Sequence, residues 1–192
     1  MEKSWEDTYA TIKNEEMPWY NKNLDEDLKN ELKSRNISSG SFLDLGTGPG
    51  TQAVELSKLG FDVVGVDISK TAIDRAKKLS TNVEFIEDDI LDTKLDKKFD
   101  YIFDRGTFHV FSQDQWERYK ETIEKLLNQN GILFLKCFSI QEEGNEGPHR
   151  FSEDELRKVF SDIFNIEKIT DTIYQGKTDR KPKSLFAVMV KK

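Results

Sequence analysis

The chain carries Leu43-Asp44-Leu45-Gly46-Thr47-Gly48-Pro49-Gly50 between two stretches of different periodicity. Residues 41–46, which overlap its start, form a short apolar run that predicts a β-strand. Residues 51–59 after it have apolar side chains at helical spacing. Glycines at such a strand-to-helix turn let the backbone approach a ligand closely, and the first N–H groups of the helix are free to bind it. The stretch therefore predicts a ligand site at the end of the first strand of an α/β sheet.

Further strands and helices alternate along the chain after this turn. Apolar runs predict strands at residues 61–66, 83–86, 99–103 and 131–138. Helical spacing and caps predict helices at residues 70–79 after Ser69, at residues 113–128, and from the Ser152–Glu155 capping box to Phe160. Strands that alternate with helices imply a mostly parallel sheet with helices on both faces.

The tail of the chain departs from this alternation. Residues 163–172 and 185–191 are two strand-like runs with only a polar stretch between them. Because a connection without a crossover helix joins antiparallel strands, we expect these two strands to pair antiparallel, with the final strand beside strand five. The sequence thus predicts an α/β fold: a Rossmann-like, seven-stranded, mostly parallel sheet with a C-terminal antiparallel hairpin.

Length and composition bound the class of protein. The 192 residues are 36% hydrophobic and 34% charged, which predicts one domain over residues 1–192. Within it we expect an N-terminal arm and helix over residues 1–40 and a catalytic core over residues 41–192. No apolar run reaches the length of a membrane helix, and the N-terminus has no signal-peptide stretch. Cys137 is the single cysteine, so we expect no disulfide framework, no metal site and a cytoplasmic location.

The charge of the chain bears on its partners. The formal net charge is −7 and the pI is about 5.1. Proteins that bind nucleic-acid phosphates usually carry a basic stripe, and here basic residues are mostly interleaved with acidic ones. We therefore expect a small-molecule partner, with no nucleic acid and no membrane. The oligomeric state stays open between a monomer and a weak dimer.

The acid beside the glycine turn indicates the kind of ligand. The glycine spacing is G-x-G-x-G, and Thr51 stands where a dinucleotide fingerprint has its third glycine. Asp44 lies in the strand, two residues before the first glycine. Its carboxylate would repel a pyrophosphate but could receive the ammonium group of an amino-acid moiety, directly or through water. S-adenosylmethionine (SAM) has such an ammonium group and no phosphate.

Two further strands also end in acidic residues. Asp67 closes the second strand, where a carboxylate can accept hydrogen bonds from both ribose hydroxyls. Glu87-Asp88-Asp89-Ile90 follows the third strand, where one acid can accept from an adenine amino group while Ile90 packs on the ring. Three acidic strand ends around one glycine turn predict a nucleoside site.

Residues 43–50, 65–69 and 87–90 closely resemble the first motifs of the class I SAM-dependent methyltransferases. The resemblance extends from residue 41 to about residue 140. It implies SAM as the cofactor and S-adenosylhomocysteine as its product. It also implies which residues contact each part of SAM. Asp44, Gly46, Gly48 and Gly50 would line the methionine end. Asp67 would hold the ribose, and Asp89 with Ile90 would hold the adenine. The implied cofactor site further includes Thr47, Ile68, Asp88, Asp104 and Arg105.

A narrower resemblance follows from two later motifs. Asp104-Arg105-Gly106 and Gly147-Pro148 resemble the thiopurine methyltransferases and the related tellurite-resistance methyltransferases. Those small-molecule enzymes begin with a Trp-containing arm that lids the cofactor, and the counterparts here are Trp5, Tyr9, Pro18, Trp19 and Tyr20. The likeness implies a small-molecule acceptor and places Arg105 near the SAM carboxylate or the acceptor. Since the arm has no helical or strand period of its own, we expect it to become ordered only when ligand binds.

The predicted acceptor site lies in the loops after strands four and five. The two histidines, His109 and His149, both fall there. Since histidine titrates near neutrality, we predict that His109 takes a proton from the acceptor, with Asp104 as a second catalytic residue. A thiol or selenol acceptor that ionises readily would need no general base, and this alternative stays open. The predicted substrate-binding residues are Trp5, Trp19, Tyr20, Arg105, His109 and His149.

Three other functions remain as alternatives to small-molecule methylation. A SAM-dependent methyltransferase acting on protein or RNA is disfavoured by the acidic charge balance and by the lack of an appended recognition domain. A non-catalytic nucleoside-binding module would keep the same pocket without activity. A nicotinamide-dependent oxidoreductase is disfavoured by Thr51 and Asp44.

Overall fold

Eight strands form one sheet in the computed structural model, which describes residues 4–144, 147–176 and 179–192. The strands are β1 (Ser41–Leu45), β2 (Asp62–Asp67), β3 (Glu84–Glu87), β4 (Phe99–Arg105), β5 (Leu127–Ser139), β6 (Arg150–Phe151), β7 (Phe164–Ile173) and β8 (Lys183–Lys191). The α-helices in the same ranges are α1 (Trp5–Thr11), α2 (Glu26–Ser34), α3 (Thr51–Lys58), α4 (Lys70–Leu79), α5 (Trp116–Leu126) and α6 (Glu153–Phe160).

The strand order across the sheet is β3-β2-β1-β4-β5-β8-β7, and β6 pairs with β5 outside this path. Strands β1 to β5 pair in parallel, whereas β8 is antiparallel to both β5 and β7. The predicted fold class, the antiparallel hairpin and the position of the last strand beside strand five are confirmed. Strand β6 was not predicted, because two residues are too few to show a strand period.

Helices cover both faces of the sheet, as the alternation predicted. The apolar sides of α5 and α6 pack on one face, through Tyr119 and Phe160 among others. The apolar sides of α2, α3 and α4 pack on the other face, through Leu28, Leu56 and Ile73 among others. Both faces of β1 and β4 are therefore buried, and the carboxyl ends of the parallel strands share one edge of the sheet. None of the helices in the described ranges is both long and apolar enough to span a bilayer.

The predicted caps of α4 and α6 are confirmed. The Ser69 hydroxyl accepts from the N–H of Ala72, and the Ser152 hydroxyl accepts from the N–H of Glu155. The side chain of Glu155 contacts His149 rather than completing a capping box. These caps satisfy N–H groups that have no partner inside their own helices.

The helix predicted over residues 113–128 is shorter than expected. It begins as a 3₁₀ turn over Gln113–Gln115, continues as α5, and ends at Leu126, because Leu127 already pairs with Phe99 in the sheet. Asn130 has a φ of 61°, a left-handed conformation that turns the chain back into the strand. The expected boundary was wrong because Leu127 belongs to the sheet core rather than to the buried stripe of the helix.

The N-terminal arm contains a helix that the sequence pattern did not predict. Ser4 caps α1 by accepting from the N–H of Asp7, and two acids occupy the first helical turn, where they interact favourably with the helix dipole. Arg75 of α4 donates to the backbone carbonyls of Tyr9 and Ile12. The expectation of an arm without secondary structure was wrong, because a cap and contacts with α4 outweigh its weak periodicity.

Candidate functional site

A cavity of about 420 Å³ opens at the carboxyl ends of the strands, beneath the arm. One half of it, here called the acidic half, is lined at the ends of β1, β2 and β3 by Gly46, Asp67, Ile68, Asp88, Asp89 and Ile90. The other, here called the aromatic half, is lined by Trp19, Arg105, His109, Phe111, Phe138 and Tyr174. Trp5, Tyr9 and Pro18 of the arm also contribute to the wall. The strand order places the two halves side by side along one sheet edge.

The glycine turn gives the acidic half its floor. Gly46 has a φ of +66°, and a Cβ there would lie 2.0 Å from Oγ1 of Thr107, so any other residue would be strained and would displace Thr107. Gly48 has a φ of +53° and faces the Tyr9 hydroxyl, while Gly50 has a φ of +84° and packs against Phe85. Of the predicted turn residues, Gly46 lies in the cavity wall, whereas Gly48 and Gly50 shape the turn behind it.

Asp44 lies behind the turn and caps α3. Its Oδ2 accepts from the Thr47 hydroxyl at 2.5 Å and from the N–H of Ala53 at 3.1 Å. Burial raises the pKa of this carboxyl to about 7. Among the described residues no donor reaches Oδ1, so an ammonium group or a bridging water would meet Asp44 through that atom. Thr47, whose N–H donates to the carbonyl of Val66, also lies outside the wall.

Asp67 is held rigidly at the end of β2, inside the wall. Its Oδ2 accepts from the N–H of Gly48 and its Oδ1 from the N–H of Ser69, each at 2.9 Å. Burial is the largest effect on this carboxyl and raises its pKa, against the lowering effect of the two hydrogen bonds. A carboxylate has about four lone-pair directions, so two remain for ligand hydroxyls. Ile68 beside it is exposed and offers an apolar surface to the same ligand.

The end of β3 supplies two acids and an apolar side chain. Asp88 accepts from the Thr93 hydroxyl and from the N–H of Lys94 at 3.1 Å, which closes the loop after the strand. Asp89 caps the 3₁₀ turn Ile90–Asp92 by accepting from the N–H of Leu91 at 2.9 Å. Asp88, Asp89 and Ile90 all lie in the wall, as the sequence predicted for a nucleoside site.

Asp104 is not part of the cavity wall. It is fully buried and accepts from the N–H groups of Gly106, Thr107 and Phe108 and from the Tyr119 hydroxyl. Burial raises the pKa of this carboxyl to about 6. Its oxygens bind four donors of the protein itself and order the loop after β4, so its role as a catalytic and cofactor-binding residue remains a prediction.

Arg105 lies in the wall but mainly ties the arm to the sheet. Its Nε donates to Asp25 at 2.8 Å and its Nη1 to the carbonyl of Trp19 at 3.0 Å, while Nη2 donates to the carbonyl of Gln175. The guanidinium carbon lies 4.5 Å from the centre of the Tyr174 ring. Three of its N–H groups are thus used inside the protein, and the rest can reach a ligand.

His109 occupies the aromatic half, but its chemistry differs from the prediction. It is only 5% exposed, and its Nδ1 accepts from the N–H of Phe138 at 3.1 Å. Burial, with a smaller contribution from His149, lowers its pKa to about 3. The expectation of titration near neutrality is wrong, because the apolar surroundings disfavour the charged ring. His109 is neutral at physiological pH.

Two predicted substrate residues lie away from the cavity. The Nε2 of His149 lies 3.1 Å from Glu155, and its ring contacts Trp116 and Phe151 in a partly exposed cluster. Tyr20 packs beside Met17 in a small apolar cluster under the arm. Neither belongs to the described wall, because each side chain is occupied by neighbours outside it. Trp5 and Trp19, in contrast, meet edge to face in the wall with ring centres 5.8 Å apart.

Sequence reasoning missed Tyr174 and Phe138. The Tyr174 hydroxyl donates to the carbonyl of Arg105 at 2.5 Å, and its ring stacks on His109 with centres 6.2 Å apart. The Phe138 ring lies edge-on to His109 at 4.7 Å. Because β7 and β5 are both antiparallel to β8, their carboxyl ends share the same edge of the sheet. The residue that follows β7 was therefore a predictable wall position.

A buried ionic cluster behind Arg105 was also missed. Lys136 of β5 is fully buried, and its ammonium lies 2.9 Å from Asp25 and 2.6 Å from Asp27, just before and within α2. It also donates to the side chain of Gln175 at 2.9 Å. This cluster fastens the start of α2 and the segment after β7 against β5, and so fixes the aromatic half. In the sequence, this cluster was indicated by Lys136, a charged residue within an otherwise apolar strand.

The groups around the acidic half define what it can bind. The N–H groups of Thr47, Gly48 and Ala53 are already bonded to protein oxygens, so the turn offers few donors for a phosphate. Three carboxylates lie in the wall there, which disfavours anions and favours hydroxyl, amino and ammonium groups. This donor set fits an adenosyl group joined to a cationic amino-acid end, and does not fit a pyrophosphate.

Comparison with known proteins shows the family to which the chain belongs. Residues 37–181 match a family model described as a methyltransferase domain. The probable thiol methyltransferase 2 of Arabidopsis thaliana is 33% identical over 134 residues, which are 67% of this chain and 59% of that protein. The 2-heptyl-1-hydroxyquinolin-4(1H)-one methyltransferase of Mycobacteroides abscessus is 32% identical over 139 residues, 68% of this chain and 61% of that protein. This chain thus spans about three fifths of the length of these curated relatives.

A solved structure agrees in fold. The crystal structure of TehB from Haemophilus influenzae matches with a TM-score of 0.74 at 19% identity. The match covers 88% of this chain and 63% of that one. At this identity the likeness concerns the arrangement of strands and helices.

Proposed function

The chain belongs to the methyltransferase domain family of class I SAM-dependent enzymes, and we propose that it transfers the methyl group of SAM to a small-molecule acceptor. The family predicted from the sequence is thereby confirmed. The observation that carries the proposal is a single cavity with two unlike halves, one lined by carboxylates at the strand ends and the other by aromatic rings. Such a cavity suits a polar cofactor beside an apolar acceptor.

The acidic half would hold SAM. Asp67 would accept from the ribose hydroxyls, since its oxygens keep lone pairs beyond those used by Gly48 and Ser69. Asp88 or Asp89 would accept from the adenine amino group, with Ile68 and Ile90 against the ring. Gly46 would let the methionine end approach the backbone, and Asp44 behind the turn would attract its ammonium group.

The protein's own residues have a limited chemical task. Bound SAM supplies a methyl group that is already activated on a sulfonium, so transfer is an in-line displacement. The wall must align the acceptor with the methyl carbon and exclude water. Trp5, Tyr9 and Trp19 from the arm and Tyr174 from the opposite side supply the apolar cover for this. We assign no general base, because His109 is a neutral ring with a lowered pKa and Asp104 lies outside the wall.

Several observations favour a small acceptor over protein or RNA. The cavity of about 420 Å³ has to accommodate both partners, and Trp5, Tyr9, Pro18 and Trp19 of the arm form part of its wall. The arm is anchored through Arg105 to Trp19 and through Glu6 to Ser69 at 2.6 Å. The net charge of −7 disfavours RNA. The relatives named as acting on a thiol and on a hydroxyquinolone support the same reading.

Calorimetry and methyl transfer test the proposal together. SAM and S-adenosylhomocysteine should bind the purified chain and raise its melting temperature, whereas NAD should do neither. With SAM labelled in its methyl group, the label should then pass to low-molecular-weight acceptors in a panel of thiols and heteroaryl hydroxyl compounds. Transfer only to protein or RNA would support the alternative substrate class. Binding of SAM without any transfer would support a non-catalytic nucleoside-binding module, and failure to bind SAM would contradict the proposal.

A further inference from the structure

A backbone N–H determines which ring nitrogen of neutral His109 carries the proton. The N–H of Phe138 can only donate, and it points at Nδ1 of His109 from 3.1 Å. Nδ1 must therefore carry the lone pair, and the proton of the neutral ring sits on Nε2. Protonation of Nδ1 would set two N–H groups against each other. Burial, which holds the pKa of His109 at about 3, keeps the ring in this neutral form.

The Nε2–H of His109 faces the cavity and lacks a partner in the protein. A Cβ on Gly106, a neighbouring wall residue, would lie 3.2 Å from this nitrogen. Within the described ranges no hydrogen-bond acceptor reaches it, although the side chain is only 5% exposed. An N–H donor that lines a cavity without a protein partner is available to an acceptor atom of a ligand. The arrangement indicates a ligand that brings its own acceptor atom to this position.

The aromatic half around His109 contains one cation, Arg105, whose charge is paired with Asp25 behind it, and none of the carboxylates of the described wall. Arg105 lies in the same wall, stacked on the Tyr174 ring that also stacks on His109. The Tyr174 hydroxyl already donates to a backbone carbonyl, and burial raises its pKa, so it stays neutral. Asp104 is turned toward four protein donors, and His149 meets His109 through its backbone N–H. The carboxylates of the described wall all belong to the acidic half.

We propose that the methyl acceptor is an aromatic compound that binds as an anion. Its apolar ring lies in the aromatic half, and its ionised atom accepts a hydrogen bond from Nε2–H of His109. The inference rests on the proposed methyltransferase function and narrows its substrate class. The acceptor loses its proton to solvent before binding. Its lone pair forms the bond to the methyl carbon while the carbon–sulfonium bond breaks and leaves its electron pair on sulfur. The negative and positive charges cancel, and no proton transfer within the site is needed.

This role differs from that of a general base in a testable way. A base would need the Nε2 lone pair, which the bond from Phe138 excludes for the neutral ring. As a donor, His109 should lower the KM for an acceptor that is already ionised. As a base, it should instead raise kcat for acceptors that arrive protonated. His109 is accordingly an acceptor-binding residue in this proposal.

Binding of two matched probes tests the proposal without requiring turnover. The full chain saturated with S-adenosylhomocysteine is titrated at neutral pH with 4-nitrothiophenol, which is ionised, and with 4-nitrothioanisole, its neutral methylated counterpart. We expect the anion to bind at least tenfold more tightly. The variant His109→Phe should lose roughly tenfold to hundredfold in affinity for the anion, the usual effect of one hydrogen bond to a charged group, and little for the neutral probe. His149→Phe, the matched control outside the wall, should keep the preference.

A second variant guards against a failure of His109→Phe to fold. His109→Gln retains an N–H donor and should keep the affinity for the anionic probe within a few-fold of that of the wild-type chain. Equal affinity of the wild-type chain for the two probes, or failure to bind the thiolate, would overturn the proposal. A loss of kcat in His109→Gln confined to weakly acidic acceptors would overturn it in favour of a base. Failure to bind S-adenosylhomocysteine would instead contradict the proposed function itself.

Discussion

The two halves of the cavity are built in different ways. In the acidic half, the acids are bonded mostly by the turn that follows their own strand: Asp67 accepts from Ser69 and Asp89 accepts from Leu91, and one further bond to Asp67 comes from Gly48 in the neighbouring turn. In the aromatic half, the bonds join distant parts of the chain. Arg105 donates to Asp25 and to the carbonyl of Trp19, 80 and 86 residues away. One half is therefore organised by local turns and the other by tertiary contacts.

This difference teaches which part of the site can vary independently. Local turns fix the acidic half wherever the strand ends are formed, so its ligand chemistry follows from short motifs. The aromatic half depends on the arm, on the loop after β4 and on the segment after β7 being held together by Arg105 and Lys136. A change in any one of these segments alters the acceptor pocket and leaves the cofactor residues in place.

Removal of the arm should have the largest effect. Deletion of residues 1–20 removes Trp5, Tyr9 and Trp19 from the wall and leaves Arg105 without the Trp19 carbonyl. We expect methyl transfer to fall by roughly a hundredfold or more, since small errors of alignment already have effects of that order. The fold should be spared, because the sheet and its two apolar faces lie outside the deleted segment. Activity assays and circular dichroism measure the two outcomes.

Hydrogen exchange examines the same arm in the intact chain. Because Ser4, Arg75 and Glu6 already hold the arm in place, we expect residues 5–20 to be partly protected without ligand and more strongly protected when S-adenosylhomocysteine buries their rings further. Exchange of β5 and β8 should change little and serves as the internal control. Equal protection in both states, together with full activity of the truncated chain, would show that the arm is ordinary packing.

Loss of the buried lysine should destabilise the chain as a whole. Lys136→Met leaves the buried Asp25 and the partly buried Asp27 with less compensating charge, which typically lowers the free energy of unfolding by about 3–5 kcal/mol. Lys97→Met, on an exposed pair with Asp62, is the matched control and should change stability by about 0–1 kcal/mol. Urea denaturation of both variants measures the difference. Equal midpoints would mean that the aromatic half does not depend on the ionic cluster.

Asp67 tests the acidic half directly. Asp67→Ala should weaken SAM binding by about 1.5–3 kcal/mol, the usual range for charge-assisted hydrogen bonds. Asp62→Ala, at the exposed start of the same strand, should leave SAM affinity unchanged. Isothermal calorimetry on both folded variants gives the comparison. Unchanged affinity in Asp67→Ala would remove this residue from the cofactor site.

The contrast between local turns and tertiary contacts explains which features of the fold and the site could be predicted from the sequence. The parallel core, the hairpin and the acids at the strand ends were predictable, because periodicity and short motifs determine them. The helix in the arm was missed because its order depends on Arg75 of α4, which no local pattern reveals. The burial and backbone partners of Asp104 and His109, which raise the pKa of one and lower that of the other, could not be predicted because they are tertiary properties. Tyr174, by contrast, could have been predicted, because it follows β7 at the same edge of the sheet.

The smallest expected effect is a pH dependence that reports Asp44. Burial raises its pKa to about 7, whereas in the unfolded chain the carboxyl ionises near pH 3.9. Between these values the native state holds a proton that the unfolded state has lost, so the contribution of Asp44 to stability falls as pH rises through that window. Ionised Asp44 should also attract the ammonium group of SAM. SAM affinity should therefore increase, by up to roughly tenfold, from about pH 5 to about pH 7.

A second ligand separates Asp44 from Asp67 in this measurement. 5′-Methylthioadenosine keeps the nucleoside that Asp67 would hold and lacks the amino-acid end, so its affinity should change with pH only through Asp67, whose pKa burial also raises. The difference between the two ligands isolates the ammonium contact. In Asp44→Asn that difference should disappear, because the amide does not ionise. Parallel pH profiles for SAM and 5′-methylthioadenosine in the wild-type chain would show that Asp44 serves only to cap α3.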